Sequence, residues 1–234
     1  SGSRMTYSKE WDTAYYNGQG CPRHMQPELR QLFKWHLGTT KGQKMLELGC
    51  SYGQNARELI TSGAKYYGVD AHRDAVISAE KECPGGVFSV QDFTFYQPFG
   101  SDFDVVFDRA SVSHNTLEAI HHTTDVIWTA LKPGGLFIGS DWFSRNHSEF
   151  AYGEYVDNGT RTNYKEGQFV NVGNVHFTDE HELLNLFCMF EPVHIIERVN
   201  RRVVPSIEMY WESRRFSGRE YRTAVFDIVF RRPK

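Results

Sequence analysis

Apolar positions along the chain fall into two repeats that take turns. Residues 27–37 place Leu29, Leu32, Phe33 and Leu37 at helical spacing, which predicts an amphipathic helix. Residues 45–48 are a short run without alternation, as suits a strand covered on both faces. Gly49 and Gly53 break that run, and Ala56–Ile60 resumes a helical pattern that extends to about Ser62. The alternation continues with a strand at 65–70 and a helix at 73–82 stopped by Pro84-Gly85-Gly86. Strands follow at 87–92 and 103–108, then a helix at 116–131 ended by Lys132-Pro133-Gly134-Gly135, then a strand at 136–141. Strands that alternate with helices imply a parallel sheet with crossover connections.

Residues 142–177 break the pattern. They are rich in Tyr, Asn, Gly and Phe and carry no periodicity, and a stretch of that length inside a domain suits a lid or a binding wall. Residues 178–187 open with Thr-Asp-Glu, a helix-capping signature, and read as a helix. Two more strands are expected at 193–199 and 221–231, the last alternating through Ala224, Phe226, Ile228 and Phe230. No internal repeat or low-complexity tract is visible.

Composition narrows the class. The 234 residues, 40% hydrophobic with net charge −3, suit one well-buried domain. No apolar run is long enough to predict a membrane span and no signal peptide is visible. Residues 1–4, ahead of Met5, read as a tag remnant. Cys21, Cys50, Cys83 and Cys188 are scattered without Cys-x-x-Cys spacing, which suggests reduced thiols in a cytoplasmic protein and no metal site. The near-neutral charge argues against a nucleic-acid partner. One local exception is the set Arg198, Arg201, Arg202, Arg214, Arg215, Arg219 and Arg222, which forms either a solvated surface with local ion pairs or an anion-binding patch.

The turn "MLELGCSYGQN" (45–55) is where a strand–turn–helix unit brings its backbone to a ligand. A dinucleotide turn needs Gly-x-Gly-x-x-Gly, and Ser51 and Gln54 stand at the second and third of those positions. A phosphate loop needs Gly-Lys-Ser/Thr, which is absent. The acid Glu47 ahead of the turn repels phosphates and suits a cationic ligand.

In order and spacing, "LELGCSYG", "YYGVD", "VQDF", "FDVVFDRASVSHN" and "LKPGGLFIGSDW" resemble the motifs of the class I S-adenosylmethionine (SAM)-dependent methyltransferases, small-molecule type. The likeness covers roughly 43–142, and "EYRTAVFDIVF" is similar to that family's final antiparallel strand. Ser51 departs from it, standing where many members have glycine. The resemblance implies an α/β fold: a Rossmann-like, doubly wound, mostly parallel seven-stranded sheet with an antiparallel last strand, in three α/β/α layers. It also implies a single domain over 5–234, with a helical N-terminal cap at 5–40 and a substrate-side insertion at 142–177. SAM is the implied cofactor.

Carried over residue by residue, the turn Glu47, Gly49, Cys50, Ser51, Gly53, Gln54 and Asn55 would cradle SAM. Asp70, with Ala71 behind it, would accept the ribose hydroxyls. Asp92 would bond the adenine amino group with Phe93 against the ring, unless Asp92 only caps a turn. Asp108 and Arg109, also cofactor-binding candidates, end the fourth strand at the edge where such sheets bind ligands. Trp11 and Tyr15, with Tyr16 beside them, either fold over the cofactor or pack on the sheet.

Methyl transfer from SAM needs positioning, and a base only for a hydroxyl or protonated amine. His114 and Asp141 are the catalytic candidates, with Asn115 and His147 nearby. His114 is preferred because histidine titrates near neutral pH, although it could instead only bond backbone. Trp142, His147 and Tyr152 are the substrate-binding candidates. The aromatics of 142–177, with "SIEMYWE" at 206–212, form either the wall of a small-molecule pocket or a satellite cluster on the sheet edge. The expected acceptor is an oxygen or nitrogen of a small, sugar-like or natural-product metabolite, and the expected assembly a monomer or homodimer. A protein or RNA acceptor, or a non-catalytic SAM-binding module, are the alternatives.

Overall fold

The computed structural model describes residues 9–11, 23–202 and 221–234. Tyr15, Tyr16, Cys21, 206–212, Arg214, Arg215 and Arg219 lie outside them. Seven strands form one sheet: β1 (Lys44–Leu48), β2 (Lys65–Asp70), β3 (Val87–Val90), β4 (Phe103–Arg109), β5 (Leu131–Phe143), β9 (Glu191–Arg202) and β10 (Tyr221–Arg231). Their order is β3-β2-β1-β4-β5-β10-β9. The first five strands run parallel, and β10 lies antiparallel between β5 and β9. The chain winds outward from β1 to β3 and then reverses through β4, so the carboxyl ends of β1 and β4 flank a topological switch point. In open α/β sheets that is where the ligand crevice forms.

Helices cover both faces. On one side lie α1 (Pro27–Leu37), α2 (Gln54–Thr61) and α3 (Arg73–Glu82). Their Leu29, Leu32, Phe33, Ala56, Leu59, Val76 and Ala79 meet Met45, Val105, Phe107 and Ile138 of the sheet. On the other side α4 (Leu117–Ala130) and α5 (Glu180–Leu186) pack Ile120, Ile127, Leu183 and Leu186 on Val106, Phe137 and Ile228. Burial on both faces explains why the parallel strands read as apolar runs. The expected N-terminal helical cap over 5–40 is described only at 9–11 and from 23 on. Within it, α1 is a sheet-packing helix, with the Phe33 ring edge-on to Phe107 at 5.1 Å.

Several boundaries differ from the sequence expectation, among them both ends of β5. The helix expected to reach Leu131 stops at Ala130, and β5 begins at once, passing Lys132–Gly135 as an irregularity in its pairing with β4. Gly134 takes φ +82° there, which glycine alone adopts without strain. β5 also runs on to Phe143, so the insertion starts two residues later than 142.

That insertion is built rather than irregular. It holds a 3₁₀ turn (Ser148–Ala151) and a three-stranded sheet of β6 (Glu154–Tyr155), β7 (Thr160–Thr162) and β8 (Val175–His176). Tyr164, Phe169, Val172, Val175 and Phe177 form its own small core. Its neck is pinned by a bridge between Ser144 and Thr178 and by the Arg145 guanidinium on Asp179 (2.9 Å) and Glu182 (3.0 Å) of the following helix. The Asp157 carboxylate accepts the N–H of Leu117 at 2.9 Å, which docks the insertion on the start of α4. Among the described residues no helix is long and apolar enough to cross a membrane.

Phe187, after α5, stacks between Phe230 (4.3 Å) and Phe137 (5.2 Å) and is almost fully buried. Phe187→Ala is expected to cost about 3–5 kcal/mol of stability. A urea titration reads this directly, and a loss below about 1 kcal/mol would mean that this face of the sheet is not packed as described.

Candidate active site

The carboxyl ends of β1, β2, β4 and β5 open into one cavity of about 390 Å³, closed on its far side by the insertion. The backbone around it is unusual. Ser51, Ala110 and Asp141 take positive φ (49°, 56° and 59°), and Gly49 and Gly53 lie near +80°. Left-handed non-glycine residues are strained and gather at functional sites. Ser51 thus stands at a position whose geometry suits glycine, the physical content of its departure from the family pattern. At Gly49 a Cβ would stand 2.1 Å from Ser111 Oγ, so no side chain fits between the two strand ends.

At the turn, Gly49, Ser51 and Gln54 line the cavity, as do Asp70, Ala71, Asp92, Phe93, Arg109 and Trp11. Asp70 Oδ2 accepts the N–H of Ser51 at 2.9 Å and Oδ1 that of His72 at 2.8 Å. These bonds aim the carboxylate and tie the β1 turn to the β2 end, while burial pushes its pKa up. Asp92 does cap its turn, accepting from Thr94 N (3.0 Å) and Oγ1 (2.7 Å), and it faces the cavity as well.

Five turn and strand-end candidates do not face the cavity. Glu47 is buried, bonded to Tyr66 and, at 2.6 Å, to Asn55 Nδ2, so both Glu47 and Asn55 are directed into the protein. Burial lifts the Glu47 pKa to about 8. The acid read as suited to a cationic ligand is therefore a neutral internal carboxyl at pH 7. Cys50 is fully buried against Gly68, and burial pushes its thiol pKa up. Gly53 starts α2, and a Cβ there would meet Cys83 Sγ at 2.9 Å, so it serves packing. Asp108, fully buried, is saturated by Ser111 N–H (2.9 Å), Val112 N–H (3.1 Å) and the Trp142 indole (2.9 Å).

On the acceptor side, Trp142 is corrected from pocket to core. It is 1% exposed, packed on Phe137 and Phe187, and its indole N–H is spent on Asp108. Tyr152 is corrected too: it is 42% exposed and does not line the cavity. His147 lines it, but both ring nitrogens are engaged. Nδ1 accepts the Glu149 N–H at 3.1 Å, so Nε2 carries the proton, and the Gln168 amide 2.6 Å away accepts it only by turning its oxygen toward the ring.

His114 has the opposite tautomer. Its Nδ1 lies 3.0 Å from the Asn174 carbonyl, which can only accept, so Nδ1 holds the proton and Nε2 keeps its lone pair. The ring sits against Trp11 (4.7 Å) and Phe143 (5.6 Å). Burial lowers the His114 pKa to about 4, against the pull of the Asn174 carbonyl and helped by the Arg109 charge. The expected titration near neutral pH is thereby corrected. Asp141 faces the cavity with both oxygens taken, by Arg109 Nε (2.9 Å) and Arg198 Nη2 (2.5 Å), so it is not a free base.

Residues 45–135 match the family model of a methyltransferase domain. That segment lies in a chain whose fold is the one seen in SAM-dependent methyltransferases of known structure. A stretch of 113 residues, 48% of this chain, is 32% identical to an uncharacterized methyltransferase of Synechocystis sp., and it spans 53% of that protein's length. Among solved structures, a SAM-dependent methyltransferase of Methanosarcina mazei shares the fold at TM-score 0.64 and 18% identity, over 90% of this chain and 99% of its own. A 1,6-didemethyltoxoflavin-N1-methyltransferase of Burkholderia thailandensis does so at 0.65 and 15%, over 96% and 86%.

SAM is the cofactor that goes with such a domain, and the methyltransferase turn fits it. Ser51 Oγ and Gln54 Oε1 are buried there without a hydrogen-bond partner among the described residues, and such orphaned groups call for a polar ligand. The sequence missed Gln168, Val172, Thr223 and Val225, which also line the cavity. For Thr223 and Val225 a signal existed: they are the odd positions of a strand read by its even, buried ones.

The neutral Glu47 makes a sign-definite prediction. The unfolded chain releases this proton near pH 4.5 and the folded chain near 8, so the folded form holds more protons between them. Its contribution to stability is full below about 4.5 and is lost as pH rises through about 8. Glu47→Gln, which keeps both hydrogen-bond partners without the charge, is expected to flatten that decline. Thermal melts of both proteins across this window check it, and parallel curves would place a charged Glu47 in the core.

Proposed function

We propose that this chain carries, over 5–234, one domain that transfers a methyl group from SAM to an oxygen or nitrogen of a small metabolite, sugar-like or of the natural-product kind. The observation that carries this reading is the shared cavity, with the glycine turn and strand-end carboxylates on one side and the insertion on the other. A protein or RNA acceptor would have to reach past that insertion. The buried Cys50 and Cys83 thiols suit a cytoplasmic setting.

SAM supplies a methyl group already activated by its sulfonium. The residues' own work is binding, orientation and exclusion of water. In this reading Asp70 accepts from the ribose hydroxyls, Asp92 and Phe93 form the adenine end, and Gly49, Ser51 and Gln54 offer the amino-acid end backbone and side-chain polar groups. Trp11 closes over them beside His114. Phe143 and Phe169 give the acceptor an apolar wall, and the His114 Nε2 lone pair orients or accepts its proton. Incubation with labelled SAM and a metabolite pool tests the reading, with a labelled small product as the expected result.

Asp70→Ala is expected to weaken SAM binding by about 1–3 kcal/mol, the scale of hydrogen bonds lost at a charged group. Calorimetry on a folded variant with unchanged affinity would remove Asp70 from the cofactor site. For His114, the rate of the unaltered enzyme is expected to hold on the acid side until pH nears about 4, where Nε2 gains a proton. His114→Ala is expected to lower kcat and abolish that acidic limb. A variant with the same kcat and the same profile leaves positioning alone to carry the reaction.

A further inference from the structure

Arg109 is the one lysine or arginine among the described residues that line the cavity. It ends β4, just before the left-handed Ala110, and its Nε is fixed on Asp141 Oδ2 at 2.9 Å. The other Asp141 oxygen belongs to Arg198, whose Nε bonds Asp227 Oδ2 at 2.6 Å and whose Nη2 reaches Asp227 Oδ1 at 3.1 Å. Ser140 Oγ donates to the same Asp227 oxygen at 3.0 Å. Charges thus alternate along Arg109, Asp141, Arg198 and Asp227, and each is held by its neighbours.

The network fixes Arg109 by its Nε edge and leaves its two Nη groups with no hydrogen-bond partner among the described residues. A guanidinium anchored in that way presents a planar fork that matches an oxyanion. Beyond Asp141, which holds the Nε edge, the neighbouring cavity side chains supply no competing anion. His114 and His147 are neutral at pH 7, and Phe143 and Phe169 are apolar. The opposite end carries Asp70 and Asp92, which repel an anion toward Arg109.

We propose that Arg109 binds a carboxylate on the acceptor, so that the substrate is a small acid whose flat apolar body lies along Phe143 and Phe169. Asp141 and Arg198 are positioning residues for that fork. The inference rests on the methyltransferase reading and names the chemical class of its substrate.

Benzoate and its neutral isostere benzamide probe the fork on the full chain, with and without S-adenosylhomocysteine. Binding is followed by ligand-observed NMR, and S-adenosylhomocysteine affinity by calorimetry. The expected result is a preference for benzoate of about tenfold or more, the scale of a charge-assisted contact. Arg109→Gln is expected to erase that preference and to leave S-adenosylhomocysteine affinity within about twofold, with Arg109→Lys intermediate because it keeps the charge without the fork. No preference for benzoate on the unaltered chain overturns the proposal, whether or not the variants fold. So does an Arg109→Gln protein that keeps the preference, or one that loses S-adenosylhomocysteine, since the fork would then serve the cofactor. Failure of the unaltered chain to bind S-adenosylhomocysteine counts against the methyltransferase reading, while the benzoate–benzamide difference is still read on the cofactor-free protein.

Discussion

The Asp108 carboxylate is the joint on which the strand-end architecture hangs. It is fully buried at the end of β4 and accepts three hydrogen bonds, from Ser111 N, Val112 N and the Trp142 indole. A buried carboxylate without partners is costly, and burial lifts this pKa to about 7 even with the three donors pulling it down. Those donors come from the turn after β4 and from the end of β5. One group therefore sets where Arg109 leaves the strand, where His114 sits in its 3₁₀ turn and how Asp141 emerges beside Trp142. Neither Asp108 nor Trp142 needs to touch a ligand to decide the shape of the site.

Most of the fold was legible because parallel strands and sheet-covering helices write different periods into the chain. The glycine turn, the acid that ends β2 and the antiparallel last strand stand where the sequence put them. The site was legible in position and less so in side-chain direction. Glu47, Asn55, Cys50 and Asp108 share motifs with cavity residues, yet alternation along a strand and the helical turn point them inward. Sequence gives the order of residues in a motif, whereas which of two neighbours faces the crevice depends on pairing registers that involve distant strands. The insertion was legible only as an irregular stretch. Its strands are two or three residues long, too short to show a period, and its order comes from contacts such as Tyr221 on Glu149 and Arg145 on α5.

The electrostatics of the cavity follow from the same economy. Charges that face it are either fixed by partners or removed by burial. Asp70 is aimed by two backbone N–H groups, and Asp141 is held between two guanidiniums. His114 and His147 lose their charge to burial, each with a tautomer set by a backbone partner. A cavity arranged in that way discriminates by fixed donors and acceptors that need little reorganisation when a ligand arrives.

The insertion adds a division of labour to this arrangement. Its small core of Tyr164, Phe169, Val172, Val175 and Phe177 is separate from the two sheet cores, so its packing is satisfied locally. It still meets the site at fixed points, because Asn174 sets the His114 tautomer and Phe169 and Val172 face the cavity. Side chains on this wall can change without disturbing the glycine turn or the β2 carboxylate, which belong to the parallel sheet. Arg109 lies at the seam, carried by β4 but oriented through Asp141 and Arg198 on β5 and β9. A charge held at that seam is seen from both halves of the cavity, so its fork is the feature through which the sheet, rather than the insertion, constrains what can be seated against the wall.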